Sequence, residues 1–576
     1  MNTEKELTGY PSIDKPWLKY YSEEALNAPL PECTIYEYLW NNNKDHPNDI
    51  ALNFFDYKIT YGELFSNIDK TASAFLNQGV KSGDVVTLMF LNCPEAIYCF
   101  YALNKIGAVA CVVNVLSNVG DLYHYLKECK SRYFVTLDMF YDKAYEAAKK
   151  YGVNKLIYFP LYQSFGQDKI EEYRFKVREP IIKEKFVISW DDFIIENDNS
   201  EIKPIKHEKN KCTLIGHTGG TTGIPKGIKL TDNSINYCVF QFISKWSHAR
   251  GDKFLNLVVP FAVYGFVMNI HMPLVCGMEC IIIPKVDPKE TDKLMLKYKP
   301  NHIISVPSYW TAIAENDNIN DLSYLKIAGA GGSKMEPRLE NELNSLFKKC
   351  NSDIHFMNGY GMSEVGSIAS AQSNDCAEIG SVGIPLMHNI ISAFDPETFL
   401  EKKIGEEGEL CILSPSMMLG YVDNEAENQR VMKKHSDGNV WIHTGDLGYI
   451  SSQGSVFITG RIKRTYITQV NGTVSKIFPD RIEKIISEMS AVSNCCVVCR
   501  GDSKNTYYPV AFVVLKPENK NESIEKDLRK ICNLGLPDYA QPIEYRFVNS
   551  LPLTSVGKPD YRTLEKMAEG MEYGNE

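Results

Sequence analysis

The segment Leu214–Leu230, LIGHTGGTTGIPKGIKL, gathers residues suited to holding a phosphate. An apolar run leads into Thr218, Gly219, Gly220, Thr221, Thr222 and Gly223, and Lys226 follows. Successive glycines let backbone N–H groups close around an anion, threonine hydroxyls add donors, and lysine supplies a positive charge. Such turns also serve simply to connect strands, but this density of donors beside a lysine favours phosphate contact. No GK[ST] follows the glycines, so the segment is not a Walker A loop.

Four further segments carry polar groups among turn residues. They are Asn358-Gly359-Tyr360-Gly361-Met362-Ser363-Glu364, His443-Thr444-Gly445-Asp446, Gly460-Arg461-Ile462-Lys463, and the run from Leu551 to Gly557-Lys558. Taken singly, Asp446, Arg461 and Lys558 read as solvated surface charges. Gly361–Val365 is not a hydrolase nucleophile elbow, because Val365 stands where the second glycine is needed.

In this order the segments resemble the motifs of the adenylate-forming (AMP-binding) superfamily, which includes acyl-CoA synthetases, firefly luciferases and peptide-synthetase adenylation domains. The family loop TSGTTGxPKG reads TGGTTGIPKG here, with Gly219 in place of serine. The resemblance implies that Thr218–Lys226 takes the β- and γ-phosphates of ATP and that Tyr360 packs on adenine. It implies that Glu364 binds Mg²⁺, a hard ion suited to carboxylate. Asp446 accepts from the ribose hydroxyls, Arg461 lies near the ribose, Lys463 is the hinge residue, and Lys558 meets the reacting carboxylate and α-phosphate. Gly331, Asn358, Gly359, Gly361, Met362 and Ser363 complete the implied nucleotide contacts.

Framework patterns at Ile59–Leu64, Gly79–Asp84, Lys105–Val109 and Gly380–Pro385 extend the resemblance over roughly Ile35 to Leu564. Two departures stand out. Family ligases often have a histidine after Pro-Phe, whereas Ala262 follows Pro260-Phe261; and Gly460–Pro479 is about three residues longer than usual, with Gly472 the nearest equivalent of a loop glycine.

These groups need a scaffold. From about Ile35 to Phe457, strand-like runs such as 85–92 and 110–115 alternate with helical patterns such as 96–107, which implies sheets covered by helices. Segment 160–210 is polar and reads as a long surface excursion. The tail predicts helices near Pro479–Met489 and Ser523–Asn533, with strands at Asn494–Arg500, Tyr508–Leu515 and Glu544–Val548, a small α+β unit. The expected fold is α/β, a large N-terminal body followed by a small mobile lid. The body spans residues 1–460 and holds the acyl and ATP sites, 461–465 is the hinge, and 466–576 carries Lys558.

A chain of 576 residues that is 44% hydrophobic needs more than one domain and can bury large cores. A net charge of −10 argues against nucleic-acid or anionic-membrane partners. The N-terminus lacks a secretory signal, which places the chain in the cytoplasm and its sixteen cysteines in a reducing compartment. Cys496 and Cys499 form a CxxC within a strand pattern, where residues three apart face opposite sides and cannot readily share a metal. The apolar stretch Leu257–Ile283 is broken by Pro260, Gly265, Asn269, His271, Pro273 and Glu279, so it reads as strand, turn, buried helix and strand, not a membrane span.

The expected function is ATP-dependent activation of a carboxylic acid as acyl-AMP, then thioester formation with coenzyme A. Phe261, Ala262, Tyr264, Ser308, Tyr309, Gly331 and Met357 are candidate pocket residues, and their apolar or small character favours a fatty or aromatic acid. Two alternatives are a stand-alone enzyme that loads the phosphopantetheine of a separate carrier protein, and a non-catalytic nucleotide-binding regulator. Retention of both Glu364 and Lys558 argues against the latter.

Overall fold

Short polar side chains set where the body's helices begin. In the computed structural model, Thr34 with Glu37, Thr60 with Glu63, and Asn118 with Asp121 form reciprocal capping boxes. Each satisfies backbone N–H groups that the first helical turn leaves open. They open the helices Ile35–Asn43, Tyr61–Asn77 and Val119–Glu128. The structure describes residues 7–165, 184–195, 202–218, 226–284, 286–316, 318–464, 466–470, 473–501, 507–516, 523–554 and 559–570.

Two large sheets form the body. An eight-stranded sheet runs in the order Gly420–Tyr421, Lys226–Thr231, Cys212–Thr218, Val109–Val112, Val85–Met89, Tyr133–Leu137, Lys155–Phe159, Val187–Ser189. Its strands from Cys212–Thr218 to Val187–Ser189 are parallel, while Lys226–Thr231 and Gly420–Tyr421 add antiparallel pairs. A nine-stranded sheet has a parallel centre, in which Ile327–Ala330 lies between His302–Ser305 and Met357–Tyr360. One continuous apolar core joins the two sheets through the fully buried helix Pro94–Ile106. A third, antiparallel sheet carries Gly408–Leu413 and Val440–Ile450, with Val456–Arg461 paired to the latter.

The stretch Leu257–Ile283 is core, as its interruptions predict. Short helical pieces from Val263 to Val275, π-helical at Val267–His271, lead to the strand Glu279–Ile282. Among the described residues, no helix is long and apolar enough to cross a membrane. The polar excursion is less detached than its composition suggests. Val187–Ser189 forms the edge strand of the eight-stranded sheet, and Trp190 and Phe193 behind it are buried. Those two aromatic side chains fasten the segment to the sheet.

The tail builds separate apolar clusters on the two faces of a three-stranded sheet. All five predicted elements are present, at Pro479–Ser487, Val492–Gly501, Tyr507–Leu515, Ile524–Gly535 and Glu544–Phe547. Two more were not foreseen: the hairpin Tyr466–Val470 with Thr473–Ile477, and the helix Tyr561–Ala568. Gly472 lies outside the described residues. Cys499 packs in the cluster on one face and Cys496 in the cluster on the other, so the CxxC cannot chelate. Arg464 anchors the start of this unit. Its guanidinium lies 2.6 Å from both Asp480 and Glu483, donates to the Val497 carbonyl at 2.8 Å, and stacks over Tyr561.

Candidate active site

Two paired strands frame the phosphate segment. Thr218 ends the strand Cys212–Thr218 and sits opposite Lys226, which begins Lys226–Thr231. Gly219–Pro225, including Gly220, Thr221, Thr222 and Gly223, lie outside the described residues, as does Lys558. Lys226 Nζ is 2.5 Å from Glu427 Oε1 and 5.7 Å from the centre of the Tyr421 ring. Glu427 also pairs with Arg430, one helical turn on. Arg430 foremost, with Lys226 adding, holds the Glu427 carboxyl at about 2 against the upward pull of burial.

The segment Asn358–Glu364 ties the other groups together. The strand Met357–Tyr360 runs parallel beside Ile327–Ala330, with Asn358 opposite Ala330, so Gly331 and Gly359 emerge side by side. A Cβ on Gly331 would stand 3.3 Å from the Gly359 carbonyl oxygen and 3.8 Å from the Tyr264 hydroxyl. At Gly361 the Ser367 carbonyl comes so close that no side chain fits, which explains the glycine. Asn358 is buried and donates to the Ser381 carbonyl at 3.0 Å, a structural bond.

Tyr360 donates its hydroxyl to Asp446 Oδ2 at 2.6 Å, and Arg461 Nε lies 2.8 Å from Asp446 Oδ1. Asp446 and Arg461 are direct cross-strand partners. Tyr360 and Arg461 thus converge on the two oxygens of one buried carboxylate. Burial, then the Asp446 charge, pushes the Tyr360 phenol well above its ordinary value, so it stays a donor. The Asp446 loop is itself fixed: Thr444 donates to the Leu410 carbonyl at 2.6 Å and accepts from the Asp446 N–H at 3.0 Å. Gly445 takes a left-handed φ of +73° there and donates its N–H to Glu409 at 3.0 Å.

Glu364 is buried and accepts from the Tyr421 hydroxyl at 2.8 Å. Burial and the Glu364 charge keep that phenol protonated. Met362 and Ser363 lead into the short turn that carries Glu364 and are half-buried. Sequence reasoning missed Tyr421, Glu427 and Arg430. The available signal was Asn424 as a helix cap with Glu427 and Arg430 three apart, as on one helix face, but only the sheet brings them to Lys226.

The candidate pocket residues fall into two groups. Phe261 and Met357 are buried in the main core, and Ala262 caps the short helix Val263–Phe266. Tyr264 donates to the Ser305 carbonyl at 2.9 Å beside Gly331. Ser308 is exposed at the start of the helix Pro307–Ala314, and Tyr309 packs against the neighbouring core with its hydroxyl toward the Val286 carbonyl. Lys463 lies in the turn Ile462–Arg464, one residue before the Arg464 anchor.

A family model described as AMP-binding enzyme matches residues 39–422, and one described as AMP-binding enzyme C-terminal domain matches 481–558. A long-chain-fatty-acid–CoA ligase of Bacillus subtilis is 27% identical, the match covering 94% of this chain and 96% of that one. A probable 4-coumarate–CoA ligase of Dictyostelium discoideum is 25% identical over the same shares. An anthranilate CoA ligase solved with anthranoyl-AMP superposes with a TM-score of 0.80 at 20% identity, over 95% of this chain and 100% of that one. The motifs, the two-part α/β architecture and these matches agree: the chain belongs to the AMP-binding enzyme family, the adenylate-forming superfamily.

Proposed function

We propose that this chain is an AMP-forming acid–CoA ligase acting on a hydrophobic acid, fatty or aromatic. The observation that carries the reading is the convergence of Tyr360 and Arg461 on Asp446, a few residues of chain from the buried Glu364. Relatives named for long-chain fatty acids and 4-coumarate support the acid class. So do the apolar Phe261, Met357 and Ala262 and the absence of a side chain at Gly331.

A carboxylate is a poor electrophile until its oxygen gains a better leaving group. In the first half-reaction a carboxylate oxygen of the acid attacks the α-phosphorus of ATP and pyrophosphate departs. In the second, the coenzyme A sulfur attacks the acyl carbon, AMP leaves with the bond's electron pair, and the thiol proton passes to solvent. The first step brings two anions together, so positive charge must already stand where they meet. Lys558 has that role, and Lys226 with the preceding loop holds the β- and γ-phosphates. In this arrangement Lys226 must exchange Glu427 for phosphate. Asp446 accepts from the ribose hydroxyls with Arg461 beside it, and Tyr360 presents its ring to adenine.

A buried carboxylate suits Mg²⁺, and Glu364 would hold that ion, which would neutralise phosphate charge when bound. Residues 1–460 form the nucleotide and acyl body, 461–465 the hinge, and 466–576 the lid that carries Lys558 toward the site and away.

Acid-dependent exchange of labelled pyrophosphate into ATP tests the reading, with fatty and aromatic acids compared in parallel. Exchange with at least one acid, and thioester only when free coenzyme A is added, is expected. No exchange with any acid would leave a nucleotide-binding protein without this chemistry. Exchange without coenzyme A turnover would point to a carrier-protein acceptor.

A further inference from the structure

Beside the strand that leads into the phosphate segment, three donor side chains meet with a carboxylate next to one of them, and none takes part in the contacts above. Cys111 lies on the strand Val109–Val112, Glu128 ends the helix Val119–Glu128, and Cys129 caps it. His217 lies on Cys212–Thr218, one residue before Thr218. Cys111 Sγ and Cys129 Sγ are 3.5 Å apart. His217 Nε2 is 4.0 Å from Cys129 Sγ and 3.5 Å from Glu128 Oε2. Both cysteines are buried, and the His217 side chain is only 6% exposed.

The protonation pattern follows from the backbone. His217 Nδ1 is 3.0 Å from the Val112 carbonyl oxygen, which can only accept, so Nδ1 carries the proton and donates. Nε2 then faces the cysteine and the carboxylate, which together push the imidazole up to about 9 against burial, so a metal would replace the Nε2 proton. A ring nitrogen fixed in this way by a carbonyl is the usual support for a metal-binding imidazole. Glu128 Oε2 is buried and faces His217 Nε2 at 3.5 Å, so a cation bound at Nε2 would stand beside a carboxylate. The Tyr125 ring, 4.3 Å from the imidazole, covers the cluster.

Ligand atoms around a tetrahedral zinc ion lie about 3.3–3.8 Å apart, given bonds of about 2.0–2.3 Å. The Cys111–Cys129 and His217–Cys129 separations are close to those edges. Two thiols and one imidazole form a borderline-soft set that selects zinc-class ions over Mg²⁺ or Ca²⁺. We propose that Cys111, Cys129 and His217 form a binding site for one zinc-class divalent ion, with the Glu128 carboxylate beside His217 adding negative charge. The site fastens the Val109–Val112 strand and the end of the Val119–Glu128 helix to the strand entering the phosphate segment. Binding displaces the two thiol protons and the His217 Nε2 proton to solvent, and metal–sulfur and metal–nitrogen bonds take their place.

A second cluster, Cys411, His435 and His443, is a weaker candidate and a useful control. There the two histidine Nε2 atoms stand 2.9 Å apart and can satisfy each other, one donating and one accepting, while His443 Nδ1 donates to Glu409.

The test uses the full chain, reduced and stripped with a chelator, titrated with Co²⁺ without oxygen and then with Zn²⁺. One equivalent of cobalt is expected to give a thiolate-to-cobalt charge-transfer band with tetrahedral d–d absorption, which Zn²⁺ abolishes. The Cys111→Ser/Cys129→Ser double variant should lose the band and bind Co²⁺ at least about 100-fold more weakly. Glu128→Gln keeps both sulfurs and should retain the band with about tenfold weaker binding, so the test survives if the double variant fails to fold. His435→Gln should leave the band unchanged. The proposal fails if the reduced wild type shows no band, if Glu128→Gln binds as tightly as wild type, or if His435→Gln removes the band. It also fails if the two cysteines are found only as a disulfide and bind no cobalt once reduced. None of these readouts depends on acid activation.

Discussion

The nucleotide end and the acyl end of the site are built differently. At the nucleotide end, charged groups are held by opposite charges and phenol hydroxyls: Asp446 by Arg461 and Tyr360, Lys226 by Glu427, and Glu364 by Tyr421. At the acyl end, the candidate residues are apolar or small. Tyr264, the one hydroxyl beside Gly331, is already bonded to the Ser305 carbonyl. On the proposed reading, recognition of ATP rests on residue types, which a motif records, and recognition of the acid rests on shape, which a motif does not record.

The largest expected effect tests charge where the two ends meet. Lys558→Ala should raise the barrier to acyl-AMP formation by about 2–4 kcal/mol. It should leave thioester formation from supplied acyl-AMP nearly intact, as single-turnover assays of each half-reaction would show. Equal loss in both halves would remove Lys558 from its adenylating role.

Next in size, Asp446→Ala leaves Arg461 and Tyr360 without their shared acceptor and removes the group assigned to the ribose. Loss of hydrogen bonds to a charged group costs about 1.5–3 kcal/mol, so the KM for ATP should rise roughly 10- to 100-fold with acid preference unchanged. An unchanged ATP affinity by calorimetry would detach the carboxylate from the nucleotide.

Lys463→Pro probes the connection between body and lid. Proline fixes φ near about −65° and restricts Ile462 before it, so one lid orientation should be favoured. One half-reaction, adenylation, should survive while the other falls about tenfold or more. Proportional loss of both, tracking a lowered melting temperature, would mean ordinary destabilisation.

Gly331→Val reverses the comparison by changing shape alone. Its Cβ would already touch the Gly359 carbonyl and approach Tyr264, so bulky acids should lose about 1–3 kcal/mol in kcat/KM relative to short ones. The ATP KM should hold. A parallel loss for every acid, together with a raised ATP KM, would place Gly331 at the nucleotide end.

The smallest effect concerns stability and acid. The Glu427 carboxyl sits at about 2 in the folded chain, below its ordinary value near 4.5. A depressed carboxylate stabilises the fold above its unfolded pKa, and that contribution is lost as pH falls from about 4.5 toward 2. For a partly solvated pair it amounts to about 1 kcal/mol at most. Urea melts of wild type and Glu427→Gln should differ at pH 7 and converge as pH falls to about 2. A gap that persists in acid would show that the pair contributes through packing.

The sequence was most informative where local chemistry decides the outcome. Alternating apolar runs marked the strands Val85–Met89 and Val109–Val112 with the buried helix between them, and the tail's five elements stood out by period and turns. It was least informative where strands find partners across long separations. The hairpin Tyr466–Ile477 lies in a polar run, and Val187–Ser189 looked like loop because an edge strand needs few apolar residues.

By itself, then, the sequence determined the α/β plan, the order of the motifs, and the residue types that meet ATP. Glycines, capping hydroxyls and side-chain periods act within a few residues of themselves. Tertiary structure alone decided that Tyr421 and Glu427 meet Glu364 and Lys226, because Gly420–Tyr421 pairs with Lys226–Thr231 across about two hundred residues of chain. It also decided that Cys111, Cys129 and His217 lie together, with Glu128 beside His217. Those contacts come from parallel strand order and helix packing, and no local preference of the residues encodes them.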